Sequence, residues 1–280
     1  DTFLRLNKKA KAPFSCFFKL NSKYLLSAST ERFLKREGRT LLAQPVKGTI
    51  ERVNAHKEND KLKSQLKNDV KERAENVMIV DLLRNDLSRI CLPNTVKVPH
   101  LFQVARHGDV LQMTSTVQGQ IKPNVNLYEM LSAVFPCGSV TGAPKKRSME
   151  IIQELEDQPR SWYCGALGWF DPNGDFAMSV PIRTLQMSDV PYTQASRFTL
   201  GVGAGVTIDS DATTEYQECQ IKAAFLTKLS SDVGLFETIL FKTGSDQTRI
   251  SRMSQHLARL AHSAKALGIP FDLLGANLLL

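Results

Sequence analysis

The sequence predicts an α+β fold, with β-sheets packed together and helices outside, and three observations lead there. Short runs of Phe, Tyr, Leu and Val bounded by turn residues recur along the first 229 positions, as strands do. Other stretches place apolar residues at three- and four-residue intervals, the period of a helix with one buried face. These blocks mix along 280 residues of 42% hydrophobic composition, enough to bury a large core, and no internal repeat or low-complexity segment interrupts them.

Taken in order, residues 14 to 20 and 23 to 29 read as paired strands turned by Asn21-Ser22. A helix is expected across 62 to 89, with Ala74, Val77, Met78 and Leu82 apolar and a possible break at Arg84-Asn85-Asp86. Strands follow at 96 to 104 and 109 to 120, then helices at 127 to 134 and 144 to 156. Further strands are expected at 163 to 170, 176 to 186 and 197 to 206, before a helix from Thr213 to Leu229. A second unit, 230 to 280, contains an amphipathic helix with Met253, Leu257, Leu260 and Ala264 on one face.

Composition excludes several classes. No apolar stretch approaches the length of a membrane span, and the start carries no signal-peptide pattern. A chain that opens on Asp1 and closes on Leu-Leu-Leu is expected to be a fragment. Five scattered cysteines (16, 91, 137, 164 and 219) lack CxxC spacing, and an odd count predicts reduced thiols in a cytoplasm, mostly as small buried hydrophobes. Residues 1 to 73 hold 18 of the 36 basic side chains and 8 of the 28 acidic ones. Without zinc spacing, an RNP-type aromatic string or glycine-arginine repeats, that excess reads as a solvated face rather than a nucleic-acid surface.

The most informative segment is Phe135-Pro-Cys-Gly-Ser-Val-Thr-Gly-Ala-Pro-Lys145. It leads into a helix whose Met149, Ile152 and Leu155 mark a buried face. The unpaired N–H groups of a first helical turn favour an anion; Gly138 and Gly142 would let a ligand approach, Thr141 offers a hydroxyl, and Pro144 suits the first turn. Two Glu-x-x-Glu pairs, Glu72 with Glu75 and Glu215 with Glu218, each lie on a predicted helix. That spacing brings both carboxylates of a pair to one face, so two facing helices would offer hard oxygens to magnesium. GVGAGV (201 to 206) is not a dinucleotide fingerprint, because Val206 takes the third glycine's place; glycines there suit close ligand approach.

FPCGSVTGAPKKRSMEII, together with PVKGT (45 to 49), KERAENVMIVDLLRNDL (71 to 87), WYCGALGWF (162 to 170), PIRTL (181 to 185), GVGAGV and EYQECQIK (215 to 222), resembles the chorismate-utilising enzymes over roughly four-fifths of the chain. The resemblance implies an anthranilate synthase component I-like chorismate-binding fold and magnesium, with Glu75 and Glu218 the closest ligands and Glu72 and Glu215 acting partly through water. It implies that Arg183, Lys222, Tyr163, Thr141 and the backbone at Gly203 and Gly205 hold chorismate. Taken alone, Lys222 could equally pair with Glu218, Arg183 could form a structural ion pair, and Tyr163 could be a core ring.

Lys47 in PVKGT implies, within that family, amino transfer giving 4-amino-4-deoxychorismate for para-aminobenzoate and folate, because the anthranilate-forming branch carries a small residue there. Lys47 would be the nucleophile and Glu31 the general acid. Thr30 stands where the family usually has proline, which leaves the acid's placement less fixed. Gln112 stands where anthranilate-forming members have a histidine, and an amide cannot shuttle protons. No glutaminase arrangement is recognisable, so a separate glutamine amidotransferase subunit is implied as the ammonia source. The alternatives are anthranilate formation or a truncated chain that binds without turnover. After residue 229, GLFETILF and TRISRMSQHLARLAHSAKALGIPFD resemble the opening of a fold-type IV lyase. Arg259 matches a position used there for the cofactor phosphate, and the Schiff-base lysine of its pyridoxal phosphate is expected beyond Leu280.

Overall fold

Two chain crossings between sheets organise this protein. In the computed structural model, which describes residues 2–51, 53, 56–107, 110–189, 196–227, 241–243, 248–250, 253–267 and 271, contacts divide the chain into Asp1–Thr227 and Lys228–Leu280. Helix α1 (Thr2–Ala10) precedes the hairpin β1 (Phe14–Leu20) and β2 (Lys23–Ser29), which pairs Leu20 with Lys23 around the expected turn. Asn21 adopts φ 52°, the left-handed conformation that asparagine tolerates.

The chain then leaves this sheet. Strands β3 (Arg32–Glu37), β4 (Thr40–Gln44) and β5 (Val46–Glu51) enter a second, antiparallel sheet, none of them expected from the sequence. In β3, adjacent Phe33 and Leu34 are both buried, so the alternation that signals a half-buried strand is missing. The expected helix over 62 to 89 is two helices, α2 (His56–Asn68) and α3 (Val70–Ile90). The break is at Asp69, whose side chain accepts the Glu72 N–H and caps α3; the helix runs unbroken through Arg84-Asn85-Asp86.

Strands β6 (Lys97–His107) and β7 (Val110–Gln120) follow, then α4 (Leu127–Val134), which starts on a capping box between Asn126 and Glu129. Helix α5 is Lys145–Leu155, with Pro144 as its N-cap rather than in its first turn. Its expected buried face is only partly covered: Ile152 is half-buried, Met149 is 41% exposed and Leu155 76%.

The expected strand 163 to 170 shortens to β8 (Leu167–Phe170), because Ser161 and Cys164 take positive φ before it. The expected strand 176 to 186 splits into β9 (Phe176–Ser179) and β10 (Thr184–Asp189), which lie in different sheets. Pro181 and Arg183, at φ 50°, supply the bend. Strand β11 (Ser196–Leu200) and helix α6 (Ala212–Thr227) complete the first unit.

The sheet orders are β1-β2-β10-β11 and β5-β7-β4-β3-β9-β8, with β6 on the other edge of β7. Both crossings, at residues 30–31 and 180–183, are stitched together: the Val180 N–H donates to Glu31 O at 3.1 Å, and Ala28 N–H to Arg183 O at 3.1 Å. Helices α3 and α4 cover the larger sheet through Ile79, Leu83, Leu87, Met130, Phe33, Leu41, Val117 and Phe176. In the second unit, β12 (Phe241–Thr243) pairs with β13 (Thr248–Ile250), and α7 (Met253–Leu267) buries Leu257 and Ala264. Most of GLFETILF lies outside the described residues. No helix among them is long and apolar enough to cross a membrane.

Candidate active site

Glu31 lies on the first crossing and is 3% exposed. The missing proline does not leave it loose, since Ser29 Oγ donates to Val180 O at 2.6 Å and accepts the Glu31 N–H at 3.2 Å. Its carboxyl turns toward the 135–144 loop, where Ser139 Oγ donates to Oε1 at 2.5 Å. Burial raises the Glu31 carboxyl to about 7; the Ser139 hydroxyl, the Lys47 charge, the Val46 amide and the Cys137 thiol pull the other way. A carboxyl poised near neutrality can deliver a proton there.

Lys47 sits just past the kink at Pro45 that turns β4 into β5, where the pairing with β7 is bulged between Lys47 and Thr49. Gly48, at φ +74°, allows this course: a Cβ there would stand 2.8 Å from Leu66 Cδ1 and 3.0 Å from Glu72 Oε2. The Lys47 side chain is 16% exposed, with Nζ 3.6 Å from Glu75 Oε2. A Cβ on Gly205 would lie 3.3 Å from that same oxygen and 3.7 Å from the ammonium, so the 201–206 segment passes beside this ion pair.

The two acidic pairs come from α3 and α6. Glu75 pairs with Lys47, Glu215 with Lys71 at 3.6 Å, and Glu218 with Lys222 at 2.7 Å. Glu72 has no ion-pair partner among the described residues. Burial, then repulsion from Glu75, Asp69 and Glu218, holds its carboxyl above the usual range. Glu215 Oε2 is buried and accepts no hydrogen bond among the described residues. Among the described residues no three carboxylate, thiol or imidazole groups converge closely enough to cage a metal ion. The donor set still fits magnesium, which takes few protein carboxylates and relieves their mutual repulsion.

Tyr163 packs its ring on Gly201, where any Cβ would overlap it, and its hydroxyl stands 3.4 Å from a Cβ position at Gly203. Burial raises its phenol above the usual range. Lys222 Nζ donates to Gly203 O at 3.0 Å besides holding Glu218. Arg183, on the second crossing, is a different case. Burial lowers its guanidinium from the usual value, and no carboxylate pairs with it among the described residues. A partly buried cation without an internal partner suits an anionic ligand.

The 135–144 loop is tied together by its own contacts. Gly138 faces α3, where a Cβ would meet Leu82 Cδ2 at 2.6 Å, so packing alone already requires glycine there. Thr141 Oγ1 donates to Cys137 O at 2.9 Å, and the Gly142 N–H donates to Gly138 O at 3.0 Å. Those donors are spent inside the loop. Gly142, at φ +133°, abuts Ser148 Oγ.

Sequence reasoning missed what anchors this loop. Lys145 Nζ donates to Asp86 Oδ2 at 2.6 Å and Val134 O at 3.0 Å, tying the loop's end to α3; the side chains are 16% and 6% exposed. Lys145→Met is expected to cost about 3–5 kcal/mol in urea unfolding, since it strands a buried carboxylate. Adding Asp86→Leu should recover most of that loss. A small effect for the single variant would show the pair to be mere surface charge.

The profile described as chorismate binding enzyme matches residues 1–228. Aminodeoxychorismate synthase component 1 of Salmonella typhimurium is 42% identical over 218 residues, 78% of this chain and 47% of that protein. The chloroplastic aminodeoxychorismate synthase of Arabidopsis thaliana is 41% identical over 223 residues, 79% of this chain and 24% of that protein. Among solved structures, anthranilate synthase component I from Streptococcus pneumoniae matches with a TM-score of 0.70 at 31% identity, covering 80% of this chain and 48% of that one. The chain thus spans about half, or less, of these relatives' length.

Proposed function

The chain belongs to the chorismate binding enzymes, and from that premise we propose that it carries the catalytic residues of an aminodeoxychorismate synthase, converting chorismate and ammonia to 4-amino-4-deoxychorismate and water. The supporting observation is the proximity of Lys47 to Glu31. A half-buried amine from β5 and a buried, poised acid from the sheet crossing lie close enough for the lysine's charge to act on the carboxyl.

In this reading Lys47 Nζ, as a neutral amine, forms a bond to C2 of chorismate while the ring double bonds shift and the C4–O bond breaks. Glu31 gives its proton to the departing hydroxyl, which leaves as water. Ammonia then bonds to C4, the shift reverses, the C2–N bond to Lys47 breaks to return the free amine, and the proton shed by the newly bonded nitrogen goes back to Glu31. Arg183 offers its guanidinium to one substrate carboxylate, and Tyr163 and Lys222 orient the ring from the side of Gly203. Glu72, Glu75, Glu215 and Glu218 would hold magnesium, which supplies positive charge for the other carboxylate. Ammonia would come from a separate glutamine amidotransferase subunit.

Gln112 supports the amino product over an aromatised one. It is 3% exposed, its Nε2 donates to Thr49 Oγ1 at 3.2 Å, and its Oε1 has no partner among the described residues; an amide so placed relays no proton. The test is a product assay with chorismate, ammonia and magnesium, read by chromatography and fluorescence. 4-Amino-4-deoxychorismate is the expected product. Fluorescent anthranilate, or no conversion, would overturn the reading.

A further inference from the structure

The Glu31 carboxyl is held by a short chain of side chains that the reaction as described does not use. Cys137 Sγ lies 3.2 Å from Ser139 Oγ, and Ser139 Oγ donates to Glu31 Oε1 at 2.5 Å. Cys137 Sγ itself is 3.9 Å from the same Oε1. Both Cys137 and Glu31 are nearly inaccessible, at 2% and 3% exposure. Burial first, then the nearby Glu31, pushes the Cys137 thiol up to about 12, so it keeps its hydrogen under all working conditions.

A thiol that never ionises is a donor of fixed polarity. Because Ser139 Oγ gives its one hydrogen to Glu31 Oε1, it can only accept in its contact with Cys137, so the thiol S–H is the donor there. We propose that Cys137 and Ser139 form a one-way hydrogen-bond relay that marks Oε1 of Glu31 as the accepting oxygen and thereby places the transferable proton on Oε2. When the carboxyl is neutral, the oxygen that receives these hydrogens is the carbonyl oxygen, because a carbonyl accepts better than a hydroxyl. Ser139 and Cys137 are positioning residues. They fix which oxygen is the acid, and neither needs to meet the substrate.

The inference rests on Glu31 being the general acid for its catalytic consequence, but the relay itself can be read without turnover. Ser139→Ala removes a donor that favours the ionised carboxyl, so Glu31 should hold its proton to higher pH. With the closest donor to Oε1 gone, kcat should fall about 10-fold at the optimum while KM for chorismate stays within about twofold. The alkaline limb of the kcat profile should move upward. Ser139→Thr keeps the hydroxyl and should restore both. Cys137→Ala removes only the outer donor and should give a smaller shift in the same direction.

The direct readout is the infrared carbonyl band of protonated Glu31 in 13C-glutamate-labelled protein, assigned by its loss in Glu31→Gln. In Ser139→Ala the band should rise in frequency as the carbonyl loses its donor, and its titration midpoint should move up. An unchanged band and midpoint in Ser139→Ala would overturn the relay, whatever the enzyme makes. A shifted band in a protein that yields no 4-amino-4-deoxychorismate would leave the relay standing and remove the catalytic reading. A fall in kcat with lost thermal stability and no spectral change would show Ser139 to be structural only.

Discussion

Glu31→Gln should stop turnover and yet make the protein more stable above neutral pH. Burial raises this carboxyl from 4.5 to about 7 in the folded chain, so the folded state binds the proton more tightly than the unfolded one. Its contribution to stability is fully present below about 4.5 and is lost as pH rises through about 7. A displacement of that size corresponds to about 3 kcal/mol. Glutamine has the same shape, accepts from Ser139 through its amide oxygen, and never ionises. The stability gap between variant and parent should therefore open between pH 4.5 and 7 and level off above. Urea unfolding at pH 4.5 and pH 8 measures it; a gap independent of pH would mean that Glu31 is not buried as an acid.

Lys47→Ala should lower product formation by at least about 10³-fold, the scale on which a nucleophile's removal registers. Chorismate affinity should change little, because Arg183, Tyr163 and Lys222 remain. Without ammonia, the parent protein should carry an adduct on the tryptic peptide containing Lys47, seen by mass spectrometry and absent from the variant. The structure adds a further expectation. The Lys47 charge favours the ionised form of Glu31, so its removal should raise the Glu31 midpoint in the infrared titration described above. An unmodified Lys47 together with near-normal turnover in the alanine variant would refute the nucleophile.

What the sequence made legible was local. The hairpin at Asn21-Ser22, the capped α4 and the α6 helix lie where turn chemistry and helical spacing put them, because each is decided by residues a few positions apart. The change of sheet between Ser179 and Thr184 was invisible. Its strands read as one continuous run, and only the tertiary fold separates β9 from β10. That hidden bend is what places Arg183, just as the crossing at Thr30 places Glu31. The partly covered face of α5 failed for the opposite reason, since periodicity states that a face is apolar but not what covers it.

Within the site, the carboxylates of α3 and α6 were readable from their spacing, and Lys47 and Glu31 from the resemblance. Ser139 and Cys137 were not singled out. A serine and a cysteine two residues apart carry no spacing signal, and their partner is supplied from more than 100 residues away. The Lys145–Asp86 pair was hidden likewise, because each residue has an ordinary helical reading alone.

Helix α3 carries Glu72 and Glu75 near one end and Asp86 near the other, a separation of about 20 Å along a single rod. The carboxylates stand at its first turns; the clamp on Lys145, and through it the loop that reaches Glu31, hangs from its last. The first acidic pair and the clamp that holds the loop against Glu31 are thus mounted on one stiff beam instead of on two independent supports. Vibrations that tilt the beam carry both ends together and leave the spacing between them intact. Heat should consequently spare the working geometry until the beam itself gives way, so loss of activity and loss of helix should follow the same temperature curve.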